Sequence, residues 1–202
     1  MPSDFDWLEF VTAVLVMELT PGPNMAWLAG LSLANGRRAG LMATAGIALG
    51  LSANALLAAV GLATLLAAAP RMQSVLHWVG VGFMVWLAWR TWVEGESDTP
   101  AAVRAGRDFL AGFLVNLFNP KALIFYVAII PPFLRGRQAR LDEALRLAAV
   151  SVTIATAVHL AIVLGAGRAH DLASNPARSR ITRRAIALVM LAIAGWLALG
   201  TG

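Results

Sequence analysis

The sequence predicts an all-α integral membrane protein with six transmembrane helices, arranged as two inverted three-helix repeats whose first helix is broken at a proline. Hydrophobic residues make up 59% of the 202 residues and charged residues only 13%, whereas about a quarter of a soluble domain is charged. Six apolar stretches are long enough to cross a hydrocarbon layer that needs about 20 residues per helix. A proline interrupts the first stretch of each half, at Pro21 and at Pro120.

The predicted spans follow the apolar pattern in chain order. The acidic start of the chain carries neither a basic leader nor a small-residue cleavage pattern, so we expect the first stretch to be kept as a helix. We place the spans at residues 7–28, 41–66, 75–92, 109–133, 144–164 and 185–199.

A polar linker divides the six spans into two groups of three. Residues 94–100 form the most polar stretch of the chain, with three acids and several turn formers. We therefore assign residues 1–93 to a first repeat, 94–108 to a polar cytoplasmic linker and 109–202 to a second repeat. Because each repeat has an odd number of spans, the second enters the membrane upside down relative to the first.

The two prolines lie at matching places in the two repeats, within 20–24 and 119–122. A proline frees backbone carbonyls, and hydrocarbon offers no water to satisfy them, so such a break persists only beside protein or a wet cavity. Paired breaks therefore indicate a substrate site near the membrane midplane. The alternative is that prolines are simply commoner in membrane helices than in soluble ones.

Two charged residues accompany the breaks. Lys121 is the only lysine of the chain and lies about a dozen residues into its span, where burying a charge costs about 2.5 to 3.5 kcal/mol. Glu18 is the only acid well inside an apolar stretch. One interpretation is a buried ion pair that fixes helix packing. The other is that Lys121 and the half-helix N-termini attract a carboxylate while Glu18 accepts a substrate ammonium or a proton.

Further polar and aromatic residues lie in or near the same segments. The asparagines can satisfy freed backbone or offer a donor or acceptor to a ligand, and His159 is either a packing residue or a proton carrier. Tyr126 and its neighbour Phe125 either line a pocket for the apolar part of a substrate or pack. The candidate transport residues are Glu18, Thr20, Pro21, Gly22, Pro23, Asn24, Asn54, Asn116, Asn119, Pro120, Lys121, Tyr126 and His159.

The net charge of +5 comes from arginines that lie almost entirely between the apolar stretches. This placement indicates that the arginines bias the membrane topology and contact anionic lipid headgroups, rather than bind nucleic acid. With the N-terminus outside, ten arginines lie in the inner connections and five in the outer ones. The positive-inside rule therefore predicts a multi-pass membrane protein with both termini outside.

Several chemistries are missing from the sequence. Zero cysteines exclude a disulfide framework and thiol chemistry, and no Walker loop, metalloprotease motif or nucleophile elbow is present. We expect no metal, no cofactor and no enzymatic activity, and a transport step driven by an ion gradient or by the substrate's own gradient.

Three motifs resemble the LysE/RhtB family of amino-acid exporters. They are residues 20–24 (TPGPN), residues 116–123 (NLFNPKAL) and residues 78–80 (WVG), and the resemblance covers nearly the whole chain. It implies a small inner-membrane protein that exports amino acids, coupled to the proton gradient. The chain departs from the family pattern at 131–133 (PPF), where many relatives have a proline-glutamine pair, and at Leu51, where many have a polar or acidic residue.

The resemblance and the residues together favour a secondary exporter of amino acids or close derivatives, acting by alternating access with Gly22 and Gly112 as hinges. An exporter of another small solute or ion is the alternative, and a membrane-embedded enzyme is less favoured. Small-residue faces such as 46–50 (GIALG) allow close helix approach and are compatible with a homodimer.

Overall fold

A computed structural model describes residues 6–59, 70–93, 100–119, 121–122, 125, 133, 141–172 and 176–199. Within these ranges the chain is helical, and no strand occurs among the described residues. The elements are α1 (Trp7–Leu19), α2 (Pro23–Ala59), α3 (Pro70–Val93), α4 (Ala101–Leu117), α5 (Leu141–Leu172) and α6 (Pro176–Leu199).

The first predicted span is broken where Pro21 lies. Helix α1 begins after Asp6, whose side chain accepts a hydrogen bond from the Glu9 amide at 3.0 Å, as expected of an aspartate N-cap. It ends at Leu19, and Thr20 has an extended backbone with ψ of 119°. Helix α2 starts at Pro23, a position where a proline loses no helical hydrogen bond. Pro120 lies outside the described residues, so only the first of the two proline breaks can be described.

Helix α2 contains a second interruption, at Gly36. This residue has φ of 81° and ψ of 179°, a backbone conformation that favours glycine, and it divides the helix into arms 23–35 and 37–59. The His170 Nδ1–H of α5 donates to the Leu33 carbonyl at 2.8 Å and so satisfies one carbonyl at the end of the first arm. Arg37 and Asp171 form an ion pair beside it at 2.9 Å.

The helices are longer than the apolar stretches that predicted them. The first span continues to residue 35 instead of ending at 28, and its connection to the next is a single glycine. Helix α4 begins at Ala101, so the C-terminal part of the predicted linker 94–108 is helical rather than loop. Polar helical turns keep their backbone hydrogen bonds beyond the hydrocarbon layer, so hydrophobicity alone underestimates helix length.

Two helices within the described ranges are long and apolar enough to cross a membrane by length and composition, Asn24–Ala58 and Asp142–Asp171. The shorter segment Arg184–Trp196 is also apolar. For the rest of the chain, the prediction of membrane spans depends on the sequence alone.

Helix α2 is the central element of the bundle. It packs against α4, α5 and α6, while α3 packs on α6 and α1 packs on α5. One apolar cluster includes Trp27, Ile47 and Val163, and a second includes Phe10 and Phe125. The second cluster joins α1 to α5 and to the segment that follows Lys121.

The crossing of α2 and α4 depends on reciprocal glycines. A Cβ on Gly46 would collide with the Phe109 carbonyl oxygen, and a Cβ on Gly112 would collide with the Ala43 carbonyl oxygen. The two backbones are therefore in direct contact, as the small-residue pattern at 46–50 predicts. Gly112 lies inside α4, and its role as a hinge stays a prediction of the sequence.

Replacing Gly46 by alanine should lower the free energy of unfolding by about 1 to 3 kcal/mol, because backbone atoms of α4 cannot yield to the added methyl group. Chemical unfolding in detergent micelles measures the loss. Gly82→Ala is the matched control, since a Cβ there meets nothing within 4 Å, and it should be neutral or slightly stabilising. Equal stability of the two variants would contradict the tight crossing.

Candidate functional site

A cavity lies near the middle of the helices, between the α1–α2 break, the end of α4 and the facing positions of α2 and α5. Its remaining free space is about that of one or two water molecules. Seven of the residues predicted from the sequence line it: Glu18, Gly22, Asn24, Asn116, Asn119, Lys121 and His159.

The Lys121 ammonium joins the two halves of the chain. Its Nζ donates to the Thr20 carbonyl at 2.7 Å, which is the carbonyl next to Pro21 at the end of α1. The lysine aliphatic chain packs on Gly22, where a Cβ would lie 3.3 Å from Lys121 Cδ. A charged donor thus satisfies a carbonyl that the break has released from the helix.

Asn119 organises the backbone at the end of α4. Its side-chain Oδ1 accepts a hydrogen bond from the Lys121 amide at 3.0 Å, as the N-cap of a helical turn does. Its carbonyl accepts from the Ala122 amide at 3.1 Å, and its own amide donates to the Asn116 carbonyl at 3.0 Å. The asparagine therefore closes α4 and starts the next turn, which orients Lys121 toward Thr20.

Asn116 connects α4 to both arms of α2. The Asn24 Nδ2 donates to the Asn116 Oδ1 at 2.8 Å, and both side chains are buried, with 6% and 0% exposure. The Asn54 Nδ2 approaches the Asn116 carbonyl at 3.5 Å, a longer and weaker contact. Gly50 packs directly on the Asn116 side chain and leaves room for it.

Glu18 and His159 complete the polar lining. The Lys121 ammonium bonds directly to a carbonyl, and Glu18 lines the same cavity. His159 is 2% exposed on α5, and its Nδ1 has no hydrogen-bond partner among the described residues. An anionic, a cationic and a titratable group therefore face one small space.

The other predicted residues occupy different positions. Thr20 and Pro21 are exposed, and Thr20 contributes its carbonyl rather than its hydroxyl, which bonds the Val16 carbonyl at 2.7 Å. Asn54 lies behind Asn116 instead of in the cavity lining. Pro23 opens α2. Pro120 and Tyr126 lie outside the described residues.

Sequence reasoning missed most of the apolar part of the lining, and of Phe125 it left open whether the side chain lines a pocket or packs. The apolar part consists of side chains next to the polar ones along the chain or one helical turn away: Met17, Met25, Leu51, Ala122 and Phe125. Apolar residues in an apolar helix carry no signal that separates a cavity wall from a lipid-facing surface. Leu51 is a departure from the family pattern in the sequence, and in the structure its side chain forms part of the cavity wall.

Comparison with known proteins agrees with the motifs. The family model described as "LysE type translocator" matches residues 15–201. A homoserine/homoserine lactone efflux protein of Salmonella typhimurium is 25% identical over 196 residues, covering 95% of each chain. A leucine efflux protein of Salmonella choleraesuis is 24% identical over 199 residues, covering 95% of this chain and 93% of its own. No solved structure matches.

The hydrogen bond between Asn24 and Asn116 should appear as a coupling energy. Each single change to alanine should cost about 1 to 3 kcal/mol, and the double variant should cost about 0.5 to 3 kcal/mol less than the sum. Unfolding in detergent gives the four values. As a control, Asn24→Ala should be additive with Thr153→Ala, since Thr153 bonds only locally, to the Ala149 carbonyl. Additivity of the Asn24 and Asn116 changes would contradict the described bond.

Proposed function

Because this chain belongs to the LysE type translocator family, we propose that it exports amino acids or close derivatives across the bacterial inner membrane. The family consists of translocators, not enzymes. The relatives named homoserine/homoserine lactone efflux protein and leucine efflux protein support an amino-acid substrate. The observation that carries the proposal is the cavity itself, which both a lysine and a glutamate line.

The charges of this cavity match a zwitterion. Lys121 supplies a cation for the substrate carboxylate, and the lysine has further N–H donors beyond the one that bonds Thr20. Glu18 supplies an anion for the substrate ammonium. The apolar wall accommodates the substrate side chain. A buried pair that served packing alone would be expected to bond directly, whereas here the ammonium bonds a carbonyl and the carboxylate is left available.

Alternating access follows from the packing of the two halves. The 37–59 arm of α2 packs on α5, with Gly40 against Val163, and α3 packs on α6. The break after α1 meets the end of α4 through Thr20 and Lys121. Each of these contacts joins corresponding helices of the two predicted repeats, which supports an inverted pair. Rocking about the breaks, with Gly22 as a hinge, would widen a cavity that now has little free space.

The distribution of arginines supports an orientation with both termini outside. The ion pair of Arg37 with Asp171 brings the α2 bend to the end of α5. The Arg184 guanidinium lies 5.3 Å from the centroid of the Trp92 ring, so the start of α6 lies beside the end of α3. Arg37 and Arg184 thus mark the end of the bundle that we assign to the cytoplasm. The lipid bilayer covers the exposed apolar helix faces, and a homodimer stays a prediction of the sequence.

We assign the coupling ion to the proton. Glu18 and His159 are the two titratable groups of the described lining besides Lys121, and they lie on α1 and α5. Either can take up a proton when the cavity opens outward and release it when the cavity opens inward. A proton entering by this route would drive a substrate molecule out.

Two replacements of Lys121 should separate the effect of its charge on efflux from the effect of its hydrogen bond. Lys121→Gln keeps a donor that can reach the Thr20 carbonyl, whereas Lys121→Ala removes both donor and charge. We expect both variants to reduce amino-acid efflux from proteoliposomes by about 10- to 100-fold or more, because the substrate carboxylate loses its charged partner. Arg146→Gln is the control, an exposed cation paired with Asp142 at 3.7 Å, and it should transport normally. Normal efflux by Lys121→Gln would reduce the lysine to a structural role.

Proton coupling should be visible as uphill export. In cells that overproduce the protein, a protonophore should bring the external substrate concentration down to the internal one. His159→Gln should then identify the carrier: if His159 takes the proton, the variant exchanges substrate but no longer responds to an imposed pH gradient, and an unchanged response would assign the proton to Glu18. Uphill export that persists after collapse of the proton gradient would disprove the assignment of the coupling ion.

A further inference from the structure

The bend of α2 and the last turn of α5 are joined by polar contacts, at the end of the bundle that we assign to the cytoplasm. Arg37 and Asp171 form an ion pair at 2.9 Å. Next to it, the His170 Nδ1–H donates to the Leu33 carbonyl at 2.8 Å. None of these four residues lines the candidate site, so their contacts call for a separate explanation.

These contacts lie on the same helices as the cavity, further toward the end of the bundle. Asn24 and His159 line the cavity, on the first arm of α2 and on α5. Leu33 follows Asn24 by nine residues, and His170 follows His159 by eleven, which is about 14 to 17 Å along a helix. The polar contacts therefore lie between the cavity and the proposed cytoplasmic side.

Glycines let the α2 bend and α5 touch at this end. A Cβ on Gly167 of α5 would collide with the aliphatic part of the Arg37 side chain, and a Cβ on Gly36 would lie 3.3 Å from the His170 ring. The bend and the last turns of α5 are therefore in direct contact. While these contacts hold, the path between the two elements is closed.

The hydrogen bond from His170 can be broken at a low cost in free energy. The Leu33 carbonyl belongs to the last turn before Gly36, whose φ of 81° interrupts the helix, and its donor comes from α5. At the end of the bundle, water can replace that donor, whereas a carbonyl in hydrocarbon has no such substitute. The bond can therefore break and form again during a transport cycle.

The ion pair is also suited to a contact that opens. The side chains of Arg37 and Asp171 are 42% and 56% exposed. Exposed ion pairs contribute little to stability, because water and salt screen the two charges. Such a pair shifts an equilibrium between two helix arrangements by a few fold, and it does not hold one of them permanently.

We propose that Arg37, Asp171 and His170 form an inner gate, a set of contacts that favours the helix arrangement closed to the cytoplasm. The proposal rests on the function proposed above and adds the residues that control access from the cytoplasm. Breaking the contacts lets the α2 bend move away from α5 and connects the cavity to the cytoplasm.

The sequence contains no cysteine, so a single introduced thiol reports access to the cavity. Met25 lines the cavity, and the thiol of Met25→Cys is labelled with a membrane-impermeant maleimide in vesicles of known orientation, from the outside or from the cytoplasmic side. Adding Arg37→Gln or Asp171→Asn should raise the labelling rate from the cytoplasmic side about two- to fivefold, because the ion pair is lost. The rate from the outside should stay equal or fall. His170→Leu should act in the same direction.

Three controls separate gating from a general loss of packing. Arg146→Gln removes an ion pair within α5, with Asp142, and should change neither labelling rate. Arg37→Asp combined with Asp171→Arg should restore the low rate from the cytoplasmic side, because the pair is rebuilt with its charges exchanged. Salt at about 1 M should raise that rate in the chain that carries only Met25→Cys, even if a gate variant fails to insert.

Each other outcome contradicts a separate part of the proposal. Faster labelling from both sides would indicate a loosened fold, faster labelling from the outside alone would place the contacts at the other end, and unchanged rates would show that they do not control access. Any of these results would overturn the inner gate while leaving amino-acid export standing. Gating as expected in a chain that exports no amino acid would instead disprove the proposed function.

Discussion

The hydrogen bond between the Lys121 ammonium and the Thr20 carbonyl is the interaction on which the site depends. It joins a residue of the second half to a backbone group released by the break in the first half, at 2.7 Å. In hydrocarbon an unpaired carbonyl and an unpaired ammonium are each costly in free energy, so the bond between them stabilises both. Asn119 fixes the backbone of Lys121, and Gly22 leaves space for its side chain.

The same hydrogen bond explains how a transporter can keep a helix break that releases a backbone carbonyl. Capping of a carbonyl uses one of the three N–H donors of a lysine, and the others are available to a carboxylate. If a substrate carboxylate binds Lys121 as proposed, the lysine can exchange or share partners without being left unpaired. A conformational change that separates the two halves would break this contact, so the proposed substrate binding and the proposed rocking would be linked.

The amide pair plays a complementary part. Asn24 and Asn116 join the halves by a neutral bond at 2.8 Å, deeper in the protein than the lysine contact. The close crossing of α2 and α4 at Gly46 and Gly112 makes this possible, since it brings Asn116 against Gly50 of α2. The packing of small residues therefore determines the contacts of polar ones, because the glycines bring the helices close enough for the asparagines to form a hydrogen bond.

Much of this arrangement could be predicted from residues alone. Lys121, Glu18 and the asparagines could be predicted as site residues because a charge or an amide in an apolar segment is costly in free energy. Seven of the thirteen candidates line one cavity. The apolar lining at Met17, Met25 and Leu51 could not be predicted, because such side chains are equally stable against lipid. Helix ends were misplaced for a related reason, since arginine-bearing turns such as those of α4 remain helical beyond the apolar stretch.

The sequence by itself determined the class of the protein, the position of the break at Pro21 and the residues that needed partners, because hydrophobicity and proline geometry are local properties of the chain. Only the tertiary structure decided which partners they have. It gave Lys121 a carbonyl 101 residues away instead of a direct ion pair with Glu18, and it left one edge of the Asn24–Asn116 pair open. Such choices depend on how closely separate helices approach, and that distance is set by packing across the whole bundle.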